Sequence, residues 1–337
     1  MIGWGIVGIG SHADRNIAPA IVASRGAKLV AAASRDLARA TAFASKHGAE
    51  RAYCSYAELL ADPGVQAVYI ATPNNQHAEQ VQQAAQARKH VLVEKPMALS
   101  VYECESMISA CREAGVKCGV GFQQRNHPGI KEARQMVSSG RLGELTIVKG
   151  ERSHLTPSAA QSLWRKDPLM AGGNVMMASG VHLLDLLCHV VGSRVVEVTA
   201  MIDSGTENKS LDITTAALVR FASGALGFMD CSERQLKPTN ELVISGTRAT
   251  VTGQGLVPMP ASEAMLSPCI LTLIEDDAIT KIEYSWQNLF LKQIEAFVTA
   301  IVEDSEPVAT GIEGLHIVQV TSAIFDSARE GRAIRLA

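Results

Sequence analysis

Residues 3–13 read GWGIVGIGSHA, and the whole reading turns on them. The run 3–8 is short, continuous and uncharged, as expected of a strand buried on both faces. A helical pattern follows at 13–24. Between them, Gly8-Ile9-Gly10-Ser11-His12-Ala13 has the form GxGxxA. Gly8 permits a tight turn, Gly10 lets the backbone approach a pyrophosphate, and Ala13 lets the helix pack close to the strand. The helix N-terminus then offers free N–H groups and a positive dipole end to the anion, with Ser11 and His12 in the loop. A β–α turn without a ligand has the same local form, so the context decides.

That context is an alternation of strands and helices. Apolar runs lie at 27–34, 66–72, 90–96 and 117–122, and helical patterns at 36–47, 75–88 and 100–114. Such βαβ units build a parallel sheet. The second run ends in Ser34-Arg35-Asp36. NAD-binding domains usually place an acid at this strand end. Here Ser34 takes that place with Arg35 beside it, and Arg39 lies one helical turn on. A hydroxyl and guanidinium groups suit the 2′-phosphate of NADP(H). A shift of one residue would bring Asp36 into the acidic place and favour NAD(H).

After residue 122 the pattern changes. A helix at 130–139, a strand at 144–153, an irregular stretch at 154–171 and a helix at 174–191 precede a series of strands: 195–203, 212–221, 225–232, 240–246, 249–253, 269–275 and 279–284. Consecutive strands joined by tight turns predict an antiparallel sheet. Helices at 287–304 and 312–330 close the chain. The expected fold is an α/β Rossmann dinucleotide-binding domain over 1–122. An α+β substrate-binding and oligomerisation domain with an open, largely antiparallel sheet follows over 123–337.

Composition excludes several classes of function. The 337 residues carry a net charge of −3 and only 4% aromatics, which argues against nucleic acid as a partner. No uncharged apolar stretch is read as a membrane span, and the N-terminus lacks a basic leader. The seven cysteines form no CxxC pair, and Cys104, Cys111 and Cys118 recur every seventh residue. Free thiols in a reducing cytosol, and hence a cytoplasmic protein, are the expectation.

Glu94-Lys95-Pro96 closes the apolar run at 90–96. Other motifs occur in order: Ala71-Thr72-Pro73-Asn74 with His77, then Gly121-Phe122-Gln123-Gln124-Arg125, Trp164-Arg165, Gly172-Gly173, and Gly180-Val181-His182-Leu183-Leu184-Asp185. Together with the glycine loop this set resembles the glucose–fructose oxidoreductase / inositol dehydrogenase / MocA-like family over essentially the whole chain. The resemblance implies hydride transfer to or from a secondary alcohol or ketone on a sugar, inositol or related ring. It implies that Lys95 hydrogen-bonds the reacting oxygen and that His182 transfers the proton. Thr72, Pro73, Asn74, His77, Glu94, Lys95, Trp164 and Arg165 are then expected at the cofactor. Lys95, Arg125, Trp164, Ser179 and His182 are expected at the substrate. A metal held by His182, Asp185 and His189 is the rival reading, but three ligands from one straight helix seldom converge on one ion.

One position departs from the resemblance. The family usually has an aspartate four residues before the histidine, and this chain has Ala178. Either Lys95 and His182 suffice, or Ser179 or a water substitutes, or the protein is a non-catalytic sensor of dinucleotide. The Lys95–Pro96 bond is a candidate cis bond. The strands at 195–284 leave one sheet face uncovered by helices, so residues in TTAALVRF (214–221) and ALGFM (225–229) predict a homodimer or homotetramer packed sheet to sheet.

Overall fold

The strand expected at 3–8 forms as β1 (Ile2–Val7), with every residue buried. It pairs in parallel with β2 (Ala27–Ala33) on one side and β4 (Ala67–Ile70) on the other. With β3 (Arg51–Tyr53), β5 (His90–Val93) and β6 (Cys118–Val120) these make one parallel sheet, in the order β3-β2-β1-β4-β5-β6. The strand order reverses between β1 and β4, and ligands of such sheets bind at the carboxyl ends there. The computed structural model describes residues 1–156, 162–205, 211–256, 269–276 and 278–336. Residues 157–161 of the expected irregular stretch lie outside that set.

The helices follow from local chemistry. After a π-helical turn (Ala13–Ile17) come α1 (Ala18–Ala23), α2 (Leu37–His47), α3 (Tyr56–Ala61), α4 (His77–Gln86) and α5 (Val101–Ala114). Ser100 and Glu103 form a reciprocal capping box that starts α5, and Gly115, in the left-handed conformation, ends it. The sequence reading lacked β3 and α3. They are three and six residues long, too short for a periodic signal.

The chain divides into two compact units. The first is Met1–Gln123 together with Asn288–Val318, and the second is Gln124–Gln287 with Gln319–Ala337. Residues 288–318 thus cluster with the first unit. The cause is packing of the helix Leu289–Val302. Its Phe297 ring lies 5.6 Å from that of Trp4 in β1. A Cβ on Gly119 of β6 would stand 2.8 Å from the same Phe297 ring, so glycine permits the approach.

The second unit holds a nine-stranded sheet in the order β14-β13-β12-β11-β7-β10-β9-β8-β15. Its strands are β7 (Leu145–Leu155), β8 (Val195–Asp203), β9 (Thr214–Phe221), β10 (Leu226–Ser232), β11 (Arg234–Gly246), β12 (Ala249–Gln254), β13 (Cys269–Glu275), β14 (Ala278–Tyr284) and the short β15 (Ile334–Arg335). All pairs are antiparallel except β7–β10, because β8 and β9 intervene in sequence and bring the chain back in parallel. The β11 strand starts six residues earlier than the expected 240. It carries Pro238 across a register shift between Arg234 and Thr239, where a missing N–H is tolerated.

Helices α6 (Pro128–Ser138), α7 (Pro168–Ala171) and α8 (Val181–Val191) also belong to this unit, and a π-helical turn (Met176–Gly180) precedes α8. By length and composition alone, Pro168–Val191 is apolar enough to cross a membrane. Yet 83% of its most apolar window is buried inside the protein, as befits a core helix.

Candidate active site

The phosphate loop has the geometry that its glycines imply. Gly8 sits at φ +84°, and a Cβ there would stand 2.4 Å from the backbone of Ala71, so no other residue fits. A Cβ on Gly10 would meet nothing within 4 Å, which leaves open space beside the backbone. Asp14 N–H donates to the Gly10 carbonyl at 2.9 Å and starts the helical turn. Ser11 is exposed, His12 half-buried and Ala13 buried. The residues present therefore fit a dinucleotide pyrophosphate.

At the end of β2, Asp36 is the N-cap of α2. Its carboxylate accepts from Ala38 N–H at 2.9 Å and Arg39 N–H at 3.2 Å. Ser34 Oγ accepts from Asp36 N–H. Arg35 is exposed, and the exposed Arg39 reaches back with Nη2 3.5 Å from the Ile9 carbonyl in the phosphate loop.

A buried network lies beneath the loop. Glu94 Oε1 accepts from Tyr69 Oη and lies 2.8 Å from His12 Nε2, while Oε2 accepts from the Lys95 N–H. Burial alone would raise the Glu94 pKa, but His12, Lys95 and Tyr69 bring it down to about 2. Burial and Glu94 push the Tyr69 phenol well up. Tyr69 is a site residue that the sequence reading missed, because it stands inside an apolar strand pattern.

The Lys95–Pro96 bond is cis. His77 packs behind it, fully buried, with Nδ1 2.9 Å from the Pro96 carbonyl and Nε2 3.0 Å from the Thr72 carbonyl. Burial holds its pKa below the usual imidazole range. A neutral imidazole donates from one nitrogen only, so His77 donates to one of these carbonyls and packs against the other, between the Thr72 turn and the Lys95–Pro96 turn. Thr72 Oγ1 donates to Gln80, and Asn74 is buried in the short turn that follows.

In the second unit, His182 and Ser179 are buried at 5% and 3% exposure, while Ala178 is half-buried. Asp212 holds the start of this helix, accepting from the Asn174 and Met176 N–H groups, both at 2.6 Å. Arg125 is also buried, and its Nε and Nη2 donate to Asp185 at 2.6–3.1 Å. These donors brace α8 one turn beyond His182. His189 lies 2.6 Å from Arg134 Nη1, and its pKa falls to about 3 through burial and the nearby Arg125, Arg134 and Lys131. Asp185 and His189 therefore already have protein partners. Trp164 and Arg165 are half-buried in a single turn, with the guanidinium 5.4 Å from the indole.

Residues 2–122 match the model of the oxidoreductase family with an NAD-binding Rossmann fold, and residues 130–252 match the GFO/IDH/MocA C-terminal domain. The chain belongs to the GFO/IDH/MocA family. It is an NAD(P)-dependent oxidoreductase of that family, with the cofactor carried by the Rossmann unit. Among GFO/IDH/MocA relatives, 1,5-anhydro-D-fructose reductase of Ensifer adhaerens is 29% identical over 335 residues, covering 99% of this chain and 98% of that one. D-xylose 1-dehydrogenase (NADP(+)) 2 of Haloferax volcanii is 30% identical over 345 residues, covering 99% of each. The crystal structure of aldose-aldose oxidoreductase from Caulobacter crescentus, complexed with glycerol, superposes with a TM-score of 0.89 at 27% identity over 99% of each chain.

Proposed function

We propose that this protein is an NADP(H)-dependent dehydrogenase or reductase that moves hydride to or from a secondary alcohol or ketone of a sugar, inositol or related cyclic polyol. The observation that carries the cofactor choice is the capping role of Asp36. Its Oδ1 accepts from the Ala38 and Arg39 N–H groups, which commits that oxygen to α2 rather than to a ribose hydroxyl. Ser34, Arg35 and Arg39 remain at the strand end, and a guanidinium grips a 2′-phosphate well. The relatives named above support the substrate class, since their names specify anhydrofructose, xylose and aldose.

When bound, the nicotinamide would supply the hydride acceptor or donor. Gly8, Gly10, Ser11, His12 and Ala13 hold the pyrophosphate, and Thr72, Pro73 and Asn74 lie at the nicotinamide ribose. Lys95 Nζ hydrogen-bonds the reacting oxygen and stabilises alkoxide character. His182 takes or gives the hydroxyl proton. Glu94 and His77 hold Lys95 from behind. Trp164 stacks on a ring and Arg165 contributes a donor, while Ser179 completes the polar lining near His182. Arg125 acts through Asp185, by fixing the helix that carries His182.

The test is a spectrophotometric screen of sugars, inositols and keto-sugars with NADP⁺ and NADPH. Turnover of at least one class is expected, and no turnover in either direction would sink the enzyme reading. Ala178 favours a second reading, a dinucleotide-sensing protein without catalysis. Tight NADP(H) binding without turnover on the whole panel would support it.

A homodimer built through the open sheet is also proposed. On β9, Thr215, Ala217, Val219 and Phe221 are buried, while Leu218, on the opposite face, is 57% exposed. Its neighbours Met201 and Leu226 are exposed too. A second copy would cover this apolar row.

A further inference from the structure

Among the described residues of the second unit, Arg152 has guanidinium nitrogens that are buried without a hydrogen-bond partner. Side chains alternate along β7, so Val148, Gly150 and Arg152 share one face. Gly150 meets α8: a Cβ there would stand 2.6 Å from Leu183 Cδ1. Arg152 is in register with Cys231 of β10 and Asn240 of β11. Cys231 Sγ in turn lies 3.1 Å from where a Cβ of Gly180 would be. This patch of sheet therefore lies beneath the start of α8, two residues before His182.

Nε and Nη1 of Arg152 are buried and have no hydrogen-bond partner among the described residues. Burial pulls the guanidinium pKa down to about 10, against the opposing pull of the Cys231 thiol. Three carboxylates lie near Cys231, and Asp230 is in register with Glu151 on the opposite face of the sheet from Arg152. Asp212 accepts two backbone N–H groups and the Thr215 hydroxyl, and Glu233 accepts from Asn174 Nδ2 at 2.8 Å. Arg125 supplies the contrast within the same unit. It is buried as a whole residue, whereas Arg152 is half-buried with its Nε and Nη1 out of water, and Asp185 accepts from it at three distances of 3.1 Å or less.

A buried charge without a partner lowers stability, and such groups call for an occupant. A neutral hydroxyl would satisfy a donor without balancing the charge. A carboxylate or phosphate does both, and matches the planar fork of guanidinium donors. We propose that Arg152 is the anion-recognition residue of the substrate site, and that the preferred substrate is a sugar-like alcohol or ketone bearing a carboxylate or phosphate. This rests on the polyol-oxidoreductase reading and narrows its substrate class.

Calorimetry on the full chain saturated with NADP⁺ tests it, with D-glucuronate, D-glucose 6-phosphate and D-glucose as probes. The wild type is expected to bind at least one anionic probe about tenfold or more tighter than glucose, and the two anionic arms distinguish carboxylate from phosphate. Arg152→Met should erase the preference and Arg152→Lys should keep part of it. Lys149→Met, three residues earlier and on the opposite face of β7, should keep all of it. The melting temperature of Arg152→Met without ligand should equal or exceed that of the wild type, because an unpaired buried charge is gone. Equal affinity for all three probes in the wild type would overturn the proposal. So would a preference that survives in Arg152→Met, or an Arg152→Met protein that melts lower and loses NADP⁺ affinity. Turnover of neutral polyols indifferent to Arg152 defeats this proposal alone. Arg152-dependent anion binding without turnover on any polyol defeats the enzyme reading instead.

Discussion

His12 Nε2 lies 2.8 Å from Glu94 Oε1, so a side chain of the phosphate loop is joined directly to the residue that precedes Lys95. The contact crosses the topological switch of the sheet, from the end of β1 to the end of β5. It makes one unit of the cofactor loop and the Glu94-Lys95-Pro96 turn. Glu94 gains the most from it, and its pKa falls to about 2.

This depression sets an acid limit. A carboxylate whose folded pKa lies below its unfolded value stabilises fully above the unfolded pKa. That contribution is lost as pH falls toward the folded value. For Glu94 the window runs from the ordinary 4.5 down to about 2, and the stability at stake is about 3 kcal/mol. Urea unfolding between pH 5 and pH 2 should show a smaller acid-dependent loss in Glu94→Gln than in the wild type. Identical slopes would show that Glu94 is not the group responsible.

Buried histidines act at higher pH. Burial lowers the pKa of His77 and His90, and takes that of His127 to about 4. The unfolded chain therefore binds these protons first, and stability is lost as pH falls below the ordinary imidazole value of about 6.5. His127 alone contributes about 3 kcal/mol by pH 4. Chemical denaturation in steps from pH 7.5 to pH 5 should record the decline, and a flat profile would contradict it.

Asp36 and Arg35 should separate cleanly. Arg35→Ala is expected to weaken NADP(H) binding about tenfold or more while leaving NAD(H) nearly unchanged. Asp36→Ala should instead cost about 1 kcal/mol of stability as a lost cap, without changing the ratio of the two affinities. Equal wild-type affinity for both cofactors by calorimetry would refute the assignment of Ser34 and Arg35.

Lys95→Ala and His182→Ala should each lower turnover about 10²-fold or more on a substrate found in the screen. Dinucleotide affinity should stay largely intact in both. Wild-type turnover in both variants would remove them from the mechanism.

Light scattering at micromolar concentration should return at least twice the single-chain mass of 35.9 kDa. Leu218→Lys, which places a charge on the exposed sheet face, should shift the population toward monomer. A wild-type monomer would defeat the sheet-to-sheet dimer, and a dimer indifferent to Leu218→Lys would place the interface elsewhere.

The sequence by itself determined the Rossmann unit, because its signals are local. Gly8, Gly10 and Ala13 are required by a turn spanning a few residues, and buried parallel strands announce themselves as short apolar runs. The same holds for the sheet of the second unit and for most helix limits, where patterning and capping act within a few residues. What only the tertiary structure decided depends on partners far apart in sequence. That Asp36 caps α2 follows from the fold and not from its place in the sequence. The partner of Arg125 is Asp185, sixty residues on, which no local pattern announces. The helix Leu289–Val302 follows the second sheet in sequence, yet it packs its Phe297 against Trp4 and joins the first unit. Arg152 gives no sequence signal, since an arginine on a strand is ordinarily solvated. Only the burial of its Nε and Nη1 without a hydrogen-bond partner among the described residues sets it apart. Local propensity and periodicity fix which elements form, whereas the identity of a charge's partner is fixed by which surfaces the folded chain brings together.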